Sequence, residues 1–336
     1  MDIRRLLRFE FWPFWLFYFP TYFNWAILAF KARYTTYFTA TNPLMNNSGA
    51  LNVSKVSYIS RLPQAWIPKT KLITKSISKE ELNNAFRTLD TTFPIILKPD
   101  RGERGKEVAL IQDFDQLFKK VKASNYSFLL LQTYCDYPQE AGILFYRFPN
   151  QKHGRISSIT TKEFCVLKGD GKSSWEELLR KNLRVKHRLE DLLKRDFIDW
   201  SAIAPNGAQQ LIEPIGSHNL GTKFINGNDL NSTLLEKRIS HWADQLPGFY
   251  YGRFDVKYKD WDSLLAGKDF SLMEVNGVNA EPTHIYQPGY GLLKAYRDIF
   301  SHMKIIYEIS EQNRSLGLQP KRLKPFLTEL INTALR

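Results

Sequence analysis

GRFDVKYKDWDSLLAGKDFSLMEVNGVNAEP (residues 252–282) decides the reading of this chain, because two strand-like runs, Tyr250 to Tyr258 and Phe270 to Asn276, fall on it. Alternate residues of a strand face the same way. Asp255 therefore shares a face with Arg253, and Glu274 with Asn276. If the two strands are neighbours, three oxygen-bearing groups and one guanidinium converge on a single pocket. Hard oxygen donors of this kind suit Mg²⁺, which takes one or two carboxylates and completes its octahedron with phosphate oxygens and water. Asp255, Glu274 and Asn276 are thus candidate metal ligands. The same set suits a structural salt-bridge network equally well.

Upstream, FPIILKPDRGERGKEVALI (93–111) reads as a strand that delivers Lys98 to its end, a glycine-containing turn, and a returning strand from Val108 to Ile111. Gly102 and Gly105 let backbone amides approach phosphate oxygens, and Arg101, Arg104 and Lys106 offset the accumulated negative charge. The plain alternative is a solvated basic hairpin tip. Further strands are predicted at Lys71 to Thr74, Phe128 to Gln132, Gly142 to Phe148, Ile156 to Phe164 and Ala208 to Pro214. A helix opens at Ser54-Lys55 and ends near Leu62-Pro63. Ser78 with Glu81 forms a capping box for a helix through Leu89, and Ser173-Ser174-Trp175-Glu176-Glu177 caps one reaching Leu183. The pattern is α+β with mostly antiparallel strands.

At 336 residues the chain can bury a sizeable core, and 43% hydrophobic with 24% charged residues is ordinary for a folded protein. The net charge of +13 favours anionic partners, among them nucleotides and phospholipid headgroups. Neither a base-stacking signature nor zinc-finger spacing is present, so nucleic acid is not expected as a partner. Cys135 and Cys165 stand far apart without His in ligand spacing, which suggests neither a zinc site nor a disulfide framework and fits a reducing, cytoplasmic setting.

Aromatic residues, 14% of the chain, concentrate near its start. No charged side chain occurs from Phe11 to Phe30, yet Pro13 and Pro20 interrupt this run, and Trp12, Trp15, Tyr18, Tyr22 and Trp25 favour a membrane interface over a span. Arg4, Arg5 and Arg8 before it and Lys31 and Arg33 after it could meet anionic headgroups. Packing of the block onto the protein body is the competing expectation. A cleaved signal peptide fits poorly, since no aliphatic core and small-residue cleavage site are present. Turn formers in NPLMNNSGA (42–50) predict a boundary near residue 50. The carboxyl end from Pro320 reads as a basic amphipathic helix docked by Leu323, Phe326, Leu330 and Ile331.

Together, the motifs around Lys98 and around Arg253, Asp255, Glu274 and Asn276 resemble the ATP-grasp superfamily, in the style of D-alanine:D-alanine ligases and other carboxylate-amine ligases. The resemblance covers roughly residues 54 to 310. It implies two α+β subdomains clasping ATP, and a division into an aromatic and basic segment (1–50), a catalytic body (51–315) and a basic helix (316–336). It implies that Lys98 and Lys55 contact the nucleotide, as do Arg101, Gly102, Arg104 and Gly105 of the loop. LLLQTYCDYPQEAGILFY (129–146) resembles the strand that receives adenine, with Gln132 and Tyr134 at the base and Glu140 at the ribose. Mg²⁺ on Asp255, Glu274 and Asn276, and catalytic roles for Arg253, Lys98 and Lys223, follow from the same resemblance. KEFCVLKGDGKSSWEELL (162–179) resembles an element of amide-forming members, and it makes Lys162 a substrate-side candidate. EPIGSHNLGTKF (213–224) resembles a mobile segment near the phosphates and adds His218 and Asn219. The implied activity joins a small or lipid-linked carboxylate to an amine through an acyl phosphate, on the inner face of a membrane or free of it. The second reading is an inert ATP-grasp-like binding or regulatory protein at a membrane surface.

Overall fold

A computed structural model describes residues 8–51, 54–102, 105–195 and 198–334. Arg4, Arg5, Glu103 and the predicted loop cation Arg104 lie outside the described residues. Strands β1 (Thr70–Thr74), β2 (Ile95–Pro99), β3 (Ala109–Ile111) and β4 (Phe128–Thr133) form an antiparallel sheet in the order β1-β4-β2-β3. Helices Lys79–Arg87 and Phe114–Ala123 cover one face, where Leu82, Leu117 and Val121 pack on Ile95, Leu97, Leu129 and Leu131. The predicted capping box forms: Glu81 N–H donates to Ser78 Oγ at 3.1 Å, and Ser78 N–H donates to Glu81 Oε2 at 2.8 Å. Alternation turns Ile96 and Lys98 to the other face of β2, toward the second sheet.

That sheet is assembled from β5 (Gln139–Tyr146), β6 (Arg155–Glu163), β9 (Lys223–Asn226), β10 (Tyr251–Tyr258) and β11 (Phe270–Asn276), ordered β11-β10-β5-β6-β9 and antiparallel throughout. Between β6 and β9 the chain makes a ribbon, β7 (Cys165–Lys168) with β8 (Gln209–Glu213), over its own small core. β7 and β9 are absent from the sequence reading, being only four residues each. Phe145, Phe254 and Val256 pack against Leu235, Ile239 and Trp242 of helix Thr233–Asp244. The opposite face bears Arg253, Asp255 and Lys257.

Farther along that face, Leu144 and Tyr251 are roofed by Leu28, Ala29 and Ala32 of the amino-terminal helix and by Ile306 and Ile309 of the long helix Leu292–Ser315. The expected interruption at Pro20 does not occur: one helix runs Phe14–Ala32, with Pro13 at its cap and Pro20 inside. The cost of an internal proline, about 3 kcal/mol, is offset by burial of Phe17, Leu28, Ala29 and Ala32 against the body. No helix among the described residues is long and apolar enough to cross a membrane.

The turn-rich stretch 42–50 packs into the body through Asn42, Met45, Asn47, Ser48 and Gly49. Asn42 is fully buried; its Oδ1 accepts from Tyr250 N–H and Tyr251 N–H at 2.8 and 3.0 Å, and its Nδ2 donates to Tyr251 O at 2.7 Å. At the other end, helix Leu323–Ala334 docks through Phe326 on Phe38, while Leu323, Leu330 and Ile331, expected to dock with it, are exposed.

Candidate active site

Cross-strand register sets Arg253 opposite Asn276 and Asp255 opposite Glu274. All four line a cleft of about 890 Å³ between the two sheets. Arg253 donates to both Asp255 oxygens at 3.0 Å, and Asn276 Nδ2 donates to Asp255 Oδ2 at 3.0 Å. Burial alone pushes the Asp255 carboxyl up, but Arg253 and Lys162 more than offset it and hold the group below the usual carboxylate range. Gly142 lies opposite Asp255 on β5, and a Cβ there would stand 3.0 Å from both Arg253 Cδ and Asp255 Oδ1. The Arg-Asp pair occupies the space that a side chain would need.

Across the cleft, Lys98 is enclosed by protein, and burial lowers its ammonium to about 8. Its Nζ donates to Gln132 Oε1 at 2.9 Å, and Gln132 Nε2 donates to Thr70 Oγ1 at 2.9 Å. Gln132 thus aims Lys98, a positioning role that its place on β4 did not suggest. Lys55 comes from the start of helix Lys55–Ile59; its Nζ donates to Gly102 O and lies 3.7 Å from Glu274 Oε1, so it ties the loop to the second sheet. The loop is anchored by Asp100, which accepts from Ser54 Oγ at 3.0 Å and Val56 N–H at 3.2 Å. This contact went unread because Asp100 and Ser54 are 46 residues apart.

Residues 134–138 carry the chain from β4 in one sheet to β5 in the other. Tyr134 and Glu140 line the cleft there. Glu140 accepts from Lys162 Nζ, and burial of Lys162 is more than offset by that carboxylate, which keeps its ammonium raised. Gly216 lies directly over Glu140, where a Cβ would come within 2.3 Å of Oε2. Lys257, two residues beyond Asp255 on the same face, also lines the cleft and donates to Cys135 O at 2.9 Å; strand alternation alone could have found it. Gly102, Gly105, His218 and Asn219 contribute to the wall, with His218 Nε2 3.5 Å from the buried Glu10 carboxylate.

Two predicted residues do not join the site. Lys223 points out of the sheet edge and pairs with Glu163 at 3.0 Å, because alternation on β9 gives the cleft to Phe224 instead. Arg101 is half exposed beside Asp100 and lies outside the cleft wall. Asp170 of the Gly-Asp-Gly stretch closes a turn by accepting from Lys172 N–H and Ser173 N–H at 2.9 and 2.7 Å, away from the cleft. Both cysteines are free thiols.

No group of three or more His, Cys, Asp or Glu that could hold a metal occurs among the described residues. Asp255, Glu274 and the Asn276 amide nevertheless fit Mg²⁺, which needs few protein ligands when phosphate oxygens supply the rest. In the present arrangement Arg253 and Lys55 neutralise those carboxylates.

Solved structures with a similar course of the chain include VanG D-Ala:D-Ser ligase from Enterococcus faecalis, 11% identical with a TM-score of 0.43 over 82% of this chain and 64% of that one. D-alanine–D-alanine ligase from Bacillus anthracis is 16% identical, with a TM-score of 0.43 over 82% of this chain and 72% of its own. A bifunctional glutathione synthetase from Pasteurella multocida is 12% identical, with a TM-score of 0.39 over 78% of this chain and 38% of its own. The chain thus spans less than two thirds of the length of the D-Ala:D-Ser ligase and of the synthetase. No family model matches the sequence, and no curated protein sequence matches it.

Proposed function

We propose that the cleft binds ATP with Mg²⁺, phosphorylates a substrate carboxylate, and passes the acyl group to an amine, giving an amide, ADP and phosphate. The observation that carries this reading is the meeting of Lys98 and Lys55 from one side with Arg253, Asp255, Glu274 and Asn276 from the other across one cleft. Asp255, Glu274 and Asn276 would hold Mg²⁺, which would supply positive charge to offset that of the transferring group. Lys98 and Lys55 would grip the phosphates, with Gly102 and Gly105 in the same wall of the cleft. Arg253 would stabilise the transferring phosphoryl and then the tetrahedral centre at the acyl carbon. Tyr134 and Glu140 at the hinge suit the base and ribose. No covalent side-chain nucleophile is required, since positioning and charge neutralisation supply the catalysis.

The outer face of helix Phe14–Ala32 supports a peripheral setting on an anionic membrane. Trp15, Phe19, Tyr22, Phe23, Ile27 and Phe30 share one helical stripe and are exposed, Trp15 at 67% and Phe30 at 86%. Lys31, in the last turn of the helix, and Arg33, at its cap, place cations at the end of the apolar stripe. A lipid-linked substrate suits that setting. The ligase reading is tested by ADP release from purified protein given Mg²⁺, ATP and a pool of carboxylates and amines. Glu274→Gln and Lys98→Met are expected to abolish release, and equal turnover by wild type and Glu274→Gln overturns the assignment.

A further inference from the structure

Past Arg253 the cleft opens into a bay whose walls are aromatic: Phe9, Trp12, Phe17 and Tyr18 from the amino-terminal segment, with Tyr286 and Met303 opposite. Glu281 stands in this bay, on the loop that follows Asn276. The loop is held in place at both ends: Val278 N–H donates to Ser48 O at 2.9 Å, and Tyr251 Oη donates to Ala280 O at 3.2 Å. Glu281 Oε2 accepts from Tyr286 Oη at 3.0 Å, and Tyr286 Oη lies 3.0 Å from Tyr18 Oη. Enclosure in these surroundings pushes the carboxyl up to about 7.

Five carboxylates line the cleft among the described residues, and four of them are matched by a cation of this chain. Glu10 pairs with Arg184 at 2.6 Å, Glu140 with Lys162, Asp255 with Arg253 at 3.0 Å, and Glu274 with Lys55 at 3.7 Å. Among the described residues Glu281 has no cationic partner, and Tyr286 is its one polar contact. An enclosed carboxylate without a cation is costly, and the cost is removed when a ligand brings the cation. Lys98, Lys162 and Lys257 make the nucleotide end of the cleft cationic, so an ammonium is attracted to the Glu281 end.

We propose that Glu281 receives the ammonium of the amine substrate and takes its proton, and that the aromatic bay holds the apolar body of that amine. The class is a primary amine bearing an aromatic or alkyl group. The step rests on the ligase reading and balances as follows. R–NH₃⁺ passes one proton to the Glu281 carboxylate. The freed nitrogen lone pair bonds to the acyl carbon, and the bond from that carbon to the phosphate oxygen breaks. The leaving phosphate takes the remaining surplus proton from nitrogen, and Glu281 returns its own to solvent when the product leaves.

The test is calorimetric titration of the full chain, without nucleotide, with phenethylamine, methylamine and phenethyl alcohol. Phenethylamine should bind at least tenfold more tightly than methylamine, which lacks the body, and than phenethyl alcohol, which lacks the charge. Glu281→Gln should lose at least tenfold in phenethylamine affinity while ATP affinity is unchanged. Trp12→Ala, which alters only the wall, should weaken phenethylamine and leave methylamine as it is. Equal phenethylamine binding by wild type and either variant overturns the proposal. Because the titration needs no ATP, the two readings fail separately. Phenethylamine binding without ADP release would sink the ligase reading and leave the ammonium site. ADP release with no preference for phenethylamine would sink the site alone.

Discussion

Gly142 carries no side chain because the space above it is taken by the Arg253–Asp255 pair. A methyl group there must displace one of them by a few tenths of an ångström, so Gly142→Ala should lower the rate of ADP release at least tenfold while the urea midpoint reports only an overpacking cost of about 1–3 kcal/mol. Unchanged kinetics would mean that the pair is free to move without consequence. Glu281 makes a second, pH-dependent prediction. Its folded pKa, about 7 against an ordinary 4.5, is raised. The unfolded chain therefore releases the proton first as pH rises, and the native state loses stability between about pH 4.5 and 7. At roughly 1.4 kcal/mol per unit the loss is on the order of 3 kcal/mol. Glu281→Gln does not titrate, so its stability relative to wild type should rise by that order between pH 5 and pH 8 in urea unfolding, with the Tyr286 and Tyr18 hydroxyls retained. A pH-independent difference would show that the carboxyl is not perturbed. Another polar row, Ser158 Oγ 2.7 Å from His284 Nδ1 and His284 Nε2 3.3 Å from Asp298 Oδ2, has the order of a nucleophilic triad. Ser158 and His284 are buried outside the cleft, so this row ties β6 to the loop after β11 and the long helix instead.

The amino-terminal helix serves two surfaces. Phe17 and Leu28 are in the core, Phe14, Tyr18 and Thr21 line the cleft, and the stripe from Trp15 to Phe30 faces outward. Deleting the helix would therefore unroof the cleft as well as remove the exposed apolar stripe, and the informative change is confined to the stripe. Trp15→Ser, Phe19→Ser and Phe23→Ser together should lower flotation with phosphatidylserine vesicles at least about tenfold. ADP release on soluble substrates should stay within about twofold. Equal flotation by the triple variant would overturn the membrane role. What was legible from sequence at this scale follows local rules. Period-2 alternation brought Arg253, Asp255, Glu274 and Asn276 together, and Ser-x-x-Glu spacing marked helices at Ser78 and Ser174, both closed by capping boxes. Residues whose role depends on distant partners were not legible. Tyr18 meets Tyr286 across 268 residues, Asn42 meets Tyr251 across 209, and Pro20 stays helical only because tertiary burial outweighs its local cost.

Over the whole molecule, neither sheet holds the whole cluster. The four-stranded sheet brings Lys98 to the cleft, the five-stranded sheet brings Arg253, Asp255 and Glu274, and residues 134–138 carry the chain from one sheet to the other. Without ligand, the halves are bridged at the cleft by the Lys55–Glu274 pair and the Lys98 contact to Met273 O at 3.5 Å, both weak by distance. A ligand that binds both walls replaces these bridges with charge-assisted contacts to phosphate and so stabilises the native chain by mass action. At 100 times its dissociation constant the gain is about 2.7 kcal/mol. For a chain of 336 residues the unfolding entropy is about 0.7 kcal/mol/K, so the thermal midpoint should rise by about 4 °C with MgATP. Lys98→Met removes the cation that reaches across from the first sheet, and at the same ATP concentration its midpoint should rise by less than about 1 °C. Because the measurement requires no turnover, it reads the nucleotide site separately from the acid and the amine. An equal rise in wild type and variant would place the nucleotide outside the cleft between the sheets, and the division of the site between two walls would then serve only to hold the fold together.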